Sequence, residues 1–162
     1  MLGPLFAVFA ERIGGNILDI TWAWATYLIV TGVLTVLVGE LSDKHLSKEK
    51  LIVVGSFLNA AFTFCYLLVN EPADLFLVQA GLGFGTALSS PTWSALFLKY
   101  EKAERGGFLW GLASGGSQLT IGVAIVLGGV IVNYLSFTAL FIIMGVLQLL
   151  AAEYLAQILK KD

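Results

Sequence analysis

Charged side chains are scarce in this 162-residue chain: 12% of the total, against 58% hydrophobic residues. With a mean hydropathy of +0.89, so little charge excludes an ordinary soluble domain. Histidine and cysteine occur once each, at His45 and Cys65. That excludes an internal disulfide and any Cys/His metal cluster, so neither a metal nor a cofactor is expected. Cys65 lies in an apolar run and reads as packing. A basic n-region is also lacking, since MLGPLFAVFA contains no Lys or Arg, and a secretory signal peptide does not fit. The net charge of −2 says little by itself, and no nucleic-acid partner is expected.

Long apolar stretches are what the chain does have. Five carry no charge, or one near an end: Ile20 to Gly39, Leu51 to Val69, Leu75 to Leu98, Gly106 to Val132 and Leu135 to Leu159. Each suffices to cross a hydrocarbon core of roughly 30 Å at about 1.5 Å per helical residue. Barrel strands would instead alternate apolar and polar residues over about ten positions, so the fold class expected is all-α, a polytopic membrane helical bundle in the lipid bilayer. Residues 1–162 form one transmembrane domain. The few charges are unevenly placed. Glu40, Asp43, Lys44, Lys48, Glu49 and Lys50 crowd GELSDKHLSKEK, residues 39–50. Lys44, Lys48, Lys50, Lys99, Lys102, Arg105, Lys160 and Lys161 all fall on alternate connections or the tail, eight of the nine basic residues. By the positive-inside rule those loops and the C-terminus are cytoplasmic, which suits a plasma, or inner, membrane, and Glu71 and Asp74 mark an outer loop.

MLGPLFAVFAERIGG carries only about ten residues before Glu11 and Arg12, half of what a span requires. It reads as the outer half of a first helix whose inner half lies outside this chain, so five full spans plus a partial first are expected, and six in the intact unit. The isolated chain should then need the missing helix, a second half or a homodimeric partner. Turn signals separate the spans: GGN at 14–16 with Asp19 as N-cap, NEPAD at 70–74, and Asn133 with Ser136. TGVLTVLVG (31–39) and IGVAIVLGG (121–129) match at an offset of 90, with Gly32, Val33, Val36, Leu37 and Gly39 recurring as Gly122, Val123, Val126, Leu127 and Gly129. Two such helices running in opposite directions are what a 3+3 inverted repeat produces.

Gly39-x-x-x-Asp43 followed by Lys44, Lys48 and Lys50 resembles the loop motif between the second and third helices of the major facilitator superfamily, and Arg105-Gly106 resembles an arrangement common there after the fourth. The resemblance covers essentially the whole chain, as one amino-terminal-type half. It implies alternating-access transport of a small solute, with Gly39 allowing close helix approach, Asp43 as a conformational latch, and Lys44, Lys48 and Arg105 among its basic partners. A carboxylate can make and break such charge-assisted contacts as helices rock. The match is incomplete. Leu46 replaces the family's Gly, LFLVQAGLGFG lacks the basic residue often found early in the fourth helix, and GVAIVLGG lacks the Gly-Pro element of many antiporters.

Within the spans, Asn59, Gln79, Trp93, Trp110, Ser114, Ser117 and Gln118 are the cavity-lining candidates. Trp22 and Trp24 read as interfacial anchors. Gly81/Gly85 and Gly107/Gly111/Gly115 read as close-packing faces. Pro91 in SSPTWS predicts a kink, with neighbouring hydroxyls satisfying freed backbone groups. No carboxylate sits mid-span; Glu153, near the inner end of the last helix, can reach the interface. A neutral or amphipathic solute follows for this half. GLASGG (111–116) resembles the serine motif of rhomboid proteases, but that chemistry needs a histidine in a neighbouring helix and His45 sits in a loop; no enzyme is expected. The alternative to a transporter is a non-transporting membrane scaffold or partner subunit.

Overall fold

In the computed structural model, residues 3–44, 47–100 and 106–159 are described, without the side chains of 43, 44 and 95–100. They form six α-helices: α1 (Leu5–Arg12), α2 (Ile17–Lys44), α3 (Lys48–Cys65), α4 (Pro72–Tyr100), α5 (Gly106–Tyr134) and α6 (Phe137–Leu159), with a 3₁₀ turn, Tyr66–Leu68, extending α3. There is no strand among the described residues. The all-α bundle is thus present, and its first helix is short: α1 has 8 residues, about 12 Å. α2, α3 with its turn, α5 and α6 are each long and apolar enough to cross a membrane. α4 matches α5 at 29 residues but is not among those four. Gln79, Thr86, Ser89, Ser90 and Thr92 lower its hydropathy, and it packs against both α2 and α3.

Local chemistry sets the boundaries. α1 stops because Gly14 takes φ +87°, a left-handed conformation that suits glycine, with Gly14 N–H donating to Glu11 O at 3.0 Å and Gly15 N–H to Ala10 O at 2.9 Å. That pair of bonds is a Schellman motif. α2 begins with a reciprocal cap: Asn16 Oδ1 accepts from Leu18 N–H and Asp19 N–H, while Asp19 Oδ2 accepts from Asn16 N–H at 2.9 Å. The N-cap is therefore Asn16, and Asp19 is the third helical residue reaching back. The capping role expected of Asp19 moves three positions because its carboxylate satisfies the cap's own N–H. At the start of α4, Asp74 Oδ2 likewise accepts from Asn70 and Glu71 N–H at 3.0 and 3.1 Å, which holds its carboxyl below the ordinary range. Ser136 caps α6 by accepting from Ala139 N–H.

α2 packs on α4, α4 on α3, and α3 on α6. Small residues set these distances, since lipid offers no hydrophobic drive between helices and close backbone approach has to supply the attraction. A methyl built on Gly85 would meet Asn59 N at 3.0 Å, and one on Gly83 would meet the Tyr27 carbonyl at 2.9 Å. The aromatic core lies at the end of the bundle where α1 is inserted. Phe9 meets Phe141 edge-on at 4.8 Å, and Tyr66 stacks on Phe141 at 4.9 Å. Phe6, Phe9 and Ala10 are buried there. α5 touches α6 lightly, and Gly111 to Val123 are exposed throughout. Pro91 lies inside α4, which continues through it to Tyr100. The fully buried Thr92 donates its hydroxyl to Leu88 O at 2.8 Å.

Candidate functional site

A cavity of about 730 Å³ opens between α2, α3, α4 and α6, with Gly3, ahead of α1, also on its wall. Asn59, Gln79 and Trp93 line it, as do Tyr27 and Thr86 on α2 and α4, Ser56 and Thr63 on α3, and Gln148 on α6. No Asp, Glu, Lys or Arg stands on its wall among the described residues. The helices are tied around it by neutral hydrogen bonds. The Thr63 hydroxyl shares its proton between Gln148 Oε1 and the Asn59 carbonyl, each at 2.8 Å. Tyr27 Oη donates to Thr86 Oγ1 at 3.4 Å, and the Thr31 hydroxyl to Gly83 O at 3.3 Å.

Two polar groups are left over. Asn59 Oδ1 is buried against Gly85 with no hydrogen-bond partner. Gln79 is 2% exposed and makes no hydrogen bond among the described residues. An unpaired amide in an apolar setting costs on the order of 1–3 kcal/mol; Asn59 Oδ1 is sealed within the α3–α4 contact, while the wall still offers hydroxyl and carboxamide donors and acceptors to whatever enters. It can hold a neutral group, whereas an ion would find no countercharge there.

The structure joins some candidates and separates others. Asn59, Gln79 and Trp93 share the cavity, although Trp93 stays 57% exposed at its edge. Trp110, Ser114, Ser117 and Gln118 lie on the exposed length of α5 and are not on the wall, because α5 stands apart from the bundle there. Trp24, expected to be an anchor, is on the wall and leans on Phe6 with ring centres 5.9 Å apart. Gln148 was readable as a lone carboxamide in an apolar run; Tyr27, Ser56, Thr63 and Thr86 had no distinguishing signal. The two glycine series also part company. Gly81 is packed under the Phe62 ring and Gly85 against Asn59, but a methyl on Gly107, Gly111 or Gly115 would meet nothing within 4 Å.

Of the latch residues, Gly39 accepts the Ser42 hydroxyl at its carbonyl, 2.9 Å, and Lys48 opens α3, half-buried, after Ser47. The motif is helical through Lys44 rather than looped: with no glycine or proline after Gly39, nothing ends α2 earlier. The side chains of Asp43 and Lys44, and Arg105 altogether, lie outside the described residues.

Long apolar helices packed through glycine around a neutral cavity define a polytopic membrane protein. The family model described as Major Facilitator Superfamily matches residues 1–159. The chain belongs to the major facilitator superfamily. It is 24% identical over 151 residues to an uncharacterized MFS-type transporter of Methanocaldococcus jannaschii, a match covering 93% of this chain and 39% of that relative. The chain thus spans well under half the length of the curated relative it matches. No solved structure matches it.

Proposed function

We propose that the chain is one half of a transporter that moves a small neutral or amphipathic solute by alternating access, with its basic connections and C-terminus on the cytoplasmic side of the plasma membrane. Family membership over residues 1–159 carries this reading, and a wall of carboxamides, hydroxyls and aromatic rings without charge supports the neutrality of the solute. The second half, or a second copy, pairs with the faces of α2 and α5 that bear Gly32, Gly39, Gly122 and Gly129. At all four positions an added methyl would meet open space, and small residues let membrane helices approach closely. An axis along the membrane normal relates the halves, because both keep their basic ends on one side.

Asp43 latches one state of the cycle. Asp43→Asn leaves insertion intact, since it removes one charge at a helix end, but slows solute uptake into proteoliposomes and shifts the balance between inward- and outward-facing states. Uptake unchanged in an intact, correctly inserted assembly makes Asp43 an ordinary surface charge and removes the latch from the mechanism.

A further inference from the structure

We infer that the face of α6 turned away from the bundle binds the primary ammonium of an aminophospholipid headgroup, with Glu153 as its main acceptor, in the leaflet on the side of the basic connections. The inference stands on the membrane-spanning bundle and is independent of what the chain moves.

Glu153 is the one charged residue between Phe137 and Leu159. It is exposed, and helical periodicity turns it away from the buried Phe137, Leu140 and Phe141. Two ties between α3 and α6 fix its depth: Thr63 donates to Gln148 Oε1 at 2.8 Å, and Gly145 packs beneath the Phe64 ring. Thr63 lies about 22 Å along α3 from Lys48, and Glu153 about 8 Å past Gln148 toward the same end of the bundle, at about 1.5 Å per residue. Glu153 therefore stands about 15 Å above Lys48, level with Leu58 and about 10 Å inside the start of the apolar run of α3 at Leu51. A glutamate side chain is too short to carry the carboxyl over that distance by itself.

Among the described residues the protein places no cation at that level. α5, the other neighbour of α6, carries no charged residue from Gly106 to Tyr134. Arg12 ends α1 on the opposite side of the bundle, while Lys48 and Lys50 open α3, about 15 and 12 Å nearer the basic end. A charge facing acyl chains needs a partner, and the lipid can bring one. Helix length sets the reach: from Phe137 to Ala152 the apolar part of α6 is about 24 Å long, about 6 Å short of a core of roughly 30 Å, and a bilayer thins around a short span. The side chain of Glu153 covers the remainder. Gln157, exposed one turn nearer the basic end, sits at the i, i+4 spacing from Glu153 and offers a carboxamide oxygen beside it. A primary ammonium has N–H groups to share between the two acceptors, whereas the quaternary ammonium of a choline headgroup has none.

The test uses the full chain in lipid nanodiscs with the same acyl chains throughout and a fixed share of phosphatidylglycerol. The remaining lipid runs from phosphatidylethanolamine through its N-methyl and N,N-dimethyl forms to phosphatidylcholine, which removes the N–H donors step by step at constant charge. The Tm of the wild type is expected to fall by several degrees along the series, and that of Glu153→Gln, which keeps the side chain's shape, to stay level. A slope that survives in Glu153→Gln would trace the effect to bilayer curvature, and a level wild type would mean that a proton or another part of the chain neutralises Glu153; either overturns the proposal. A second measurement needs no variant. Native mass spectrometry of the wild type, released from discs holding equal amounts of the ethanolamine and choline lipids, should find the ethanolamine lipid retained severalfold over the choline one, and equal retention overturns the proposal.

Discussion

Gly55→Ala is the most direct test of what holds the cavity's walls together. A methyl on Gly55 would stand 2.6 Å from the Gly85 carbonyl oxygen and 3.0 Å from Leu88 Cβ. The first of these is 0.8 Å inside the 3.4 Å at which ordinary contact begins, and its partner is backbone that cannot swing aside, so α3 and α4 must part. Overpacking of this kind costs about 1–3 kcal/mol, while replacing glycine within a helix returns about 1 kcal/mol of propensity. The net expectation is a loss of about 0–2 kcal/mol. Gly32→Ala is the control: nothing lies within 4 Å of its methyl, and only the propensity gain of about 1 kcal/mol remains. The two variants should therefore differ by about 1–3 kcal/mol in equilibrium unfolding followed by circular dichroism in mixed micelles titrated with dodecyl sulfate. The separation also frees Asn59, which the α3–α4 contact presses against Gly85, so the cavity should admit a bulkier thiol reagent at Ser56→Cys. Equal stability of Gly55→Ala and Gly32→Ala would refute the claim that the α3–α4 approach is limited at this point.

Thr63→Val and Gln148→Leu remove the two ends of the bond between α3 and α6; a double-mutant cycle in the same unfolding assay should give a coupling of about 0.5–2 kcal/mol, and additivity of the two losses would show the contact to be energetically silent. Asp74 has its carboxyl lowered from the ordinary 3.8 by the Asn70 and Glu71 N–H groups. Its contribution is therefore whole above pH 3.8 and lost as the pH falls through its lower folded value, so thermal stability should drop more steeply with acid in the wild type than in Asp74→Asn; parallel acid limbs would rule the cap out as the cause. Single cysteines at Ser47 and Asn70 in a Cys65→Ser background should react with an impermeant thiol reagent from outside intact cells only at position 70, and labelling at 47 would reverse the orientation.

Much of the architecture was legible in one dimension, because hydropathy, charge and turn chemistry act over a few residues. The run lengths identified the long helices, Glu11 and Arg12 marked a short first helix, and Gly14 with Gly15 ended it. Asn16 and Asp19 were both visible at the start of α2, but their division of labour was not, since either side chain can cap and only the hydrogen-bond geometry assigns the roles. The end of α2 was placed too early, at Gly39, because charge was read as loop although a charged, glycine-free segment leaving the bilayer continues a helix at no cost.

Which residues meet was decided by the tertiary structure. Gly81 and Gly85 share their spacing with Gly107, Gly111 and Gly115, yet the first pair is pressed against α3 and the second series faces open space. Gln79 and Gln118 are both lone carboxamides in apolar helices, and only Gln79 reaches the cavity. Helical periodicity places such residues on a face of their own helix, but it carries no information about how that helix is rotated or what lies beside it. Those quantities come from the pairing of α2 with α4, α4 with α3, and α3 with α6, contacts between residues far apart in the chain. Hydropathy and local turn chemistry, by themselves, determined that this is a membrane bundle and where its helices run; side-chain packing between distant segments decided which polar groups line a common cavity.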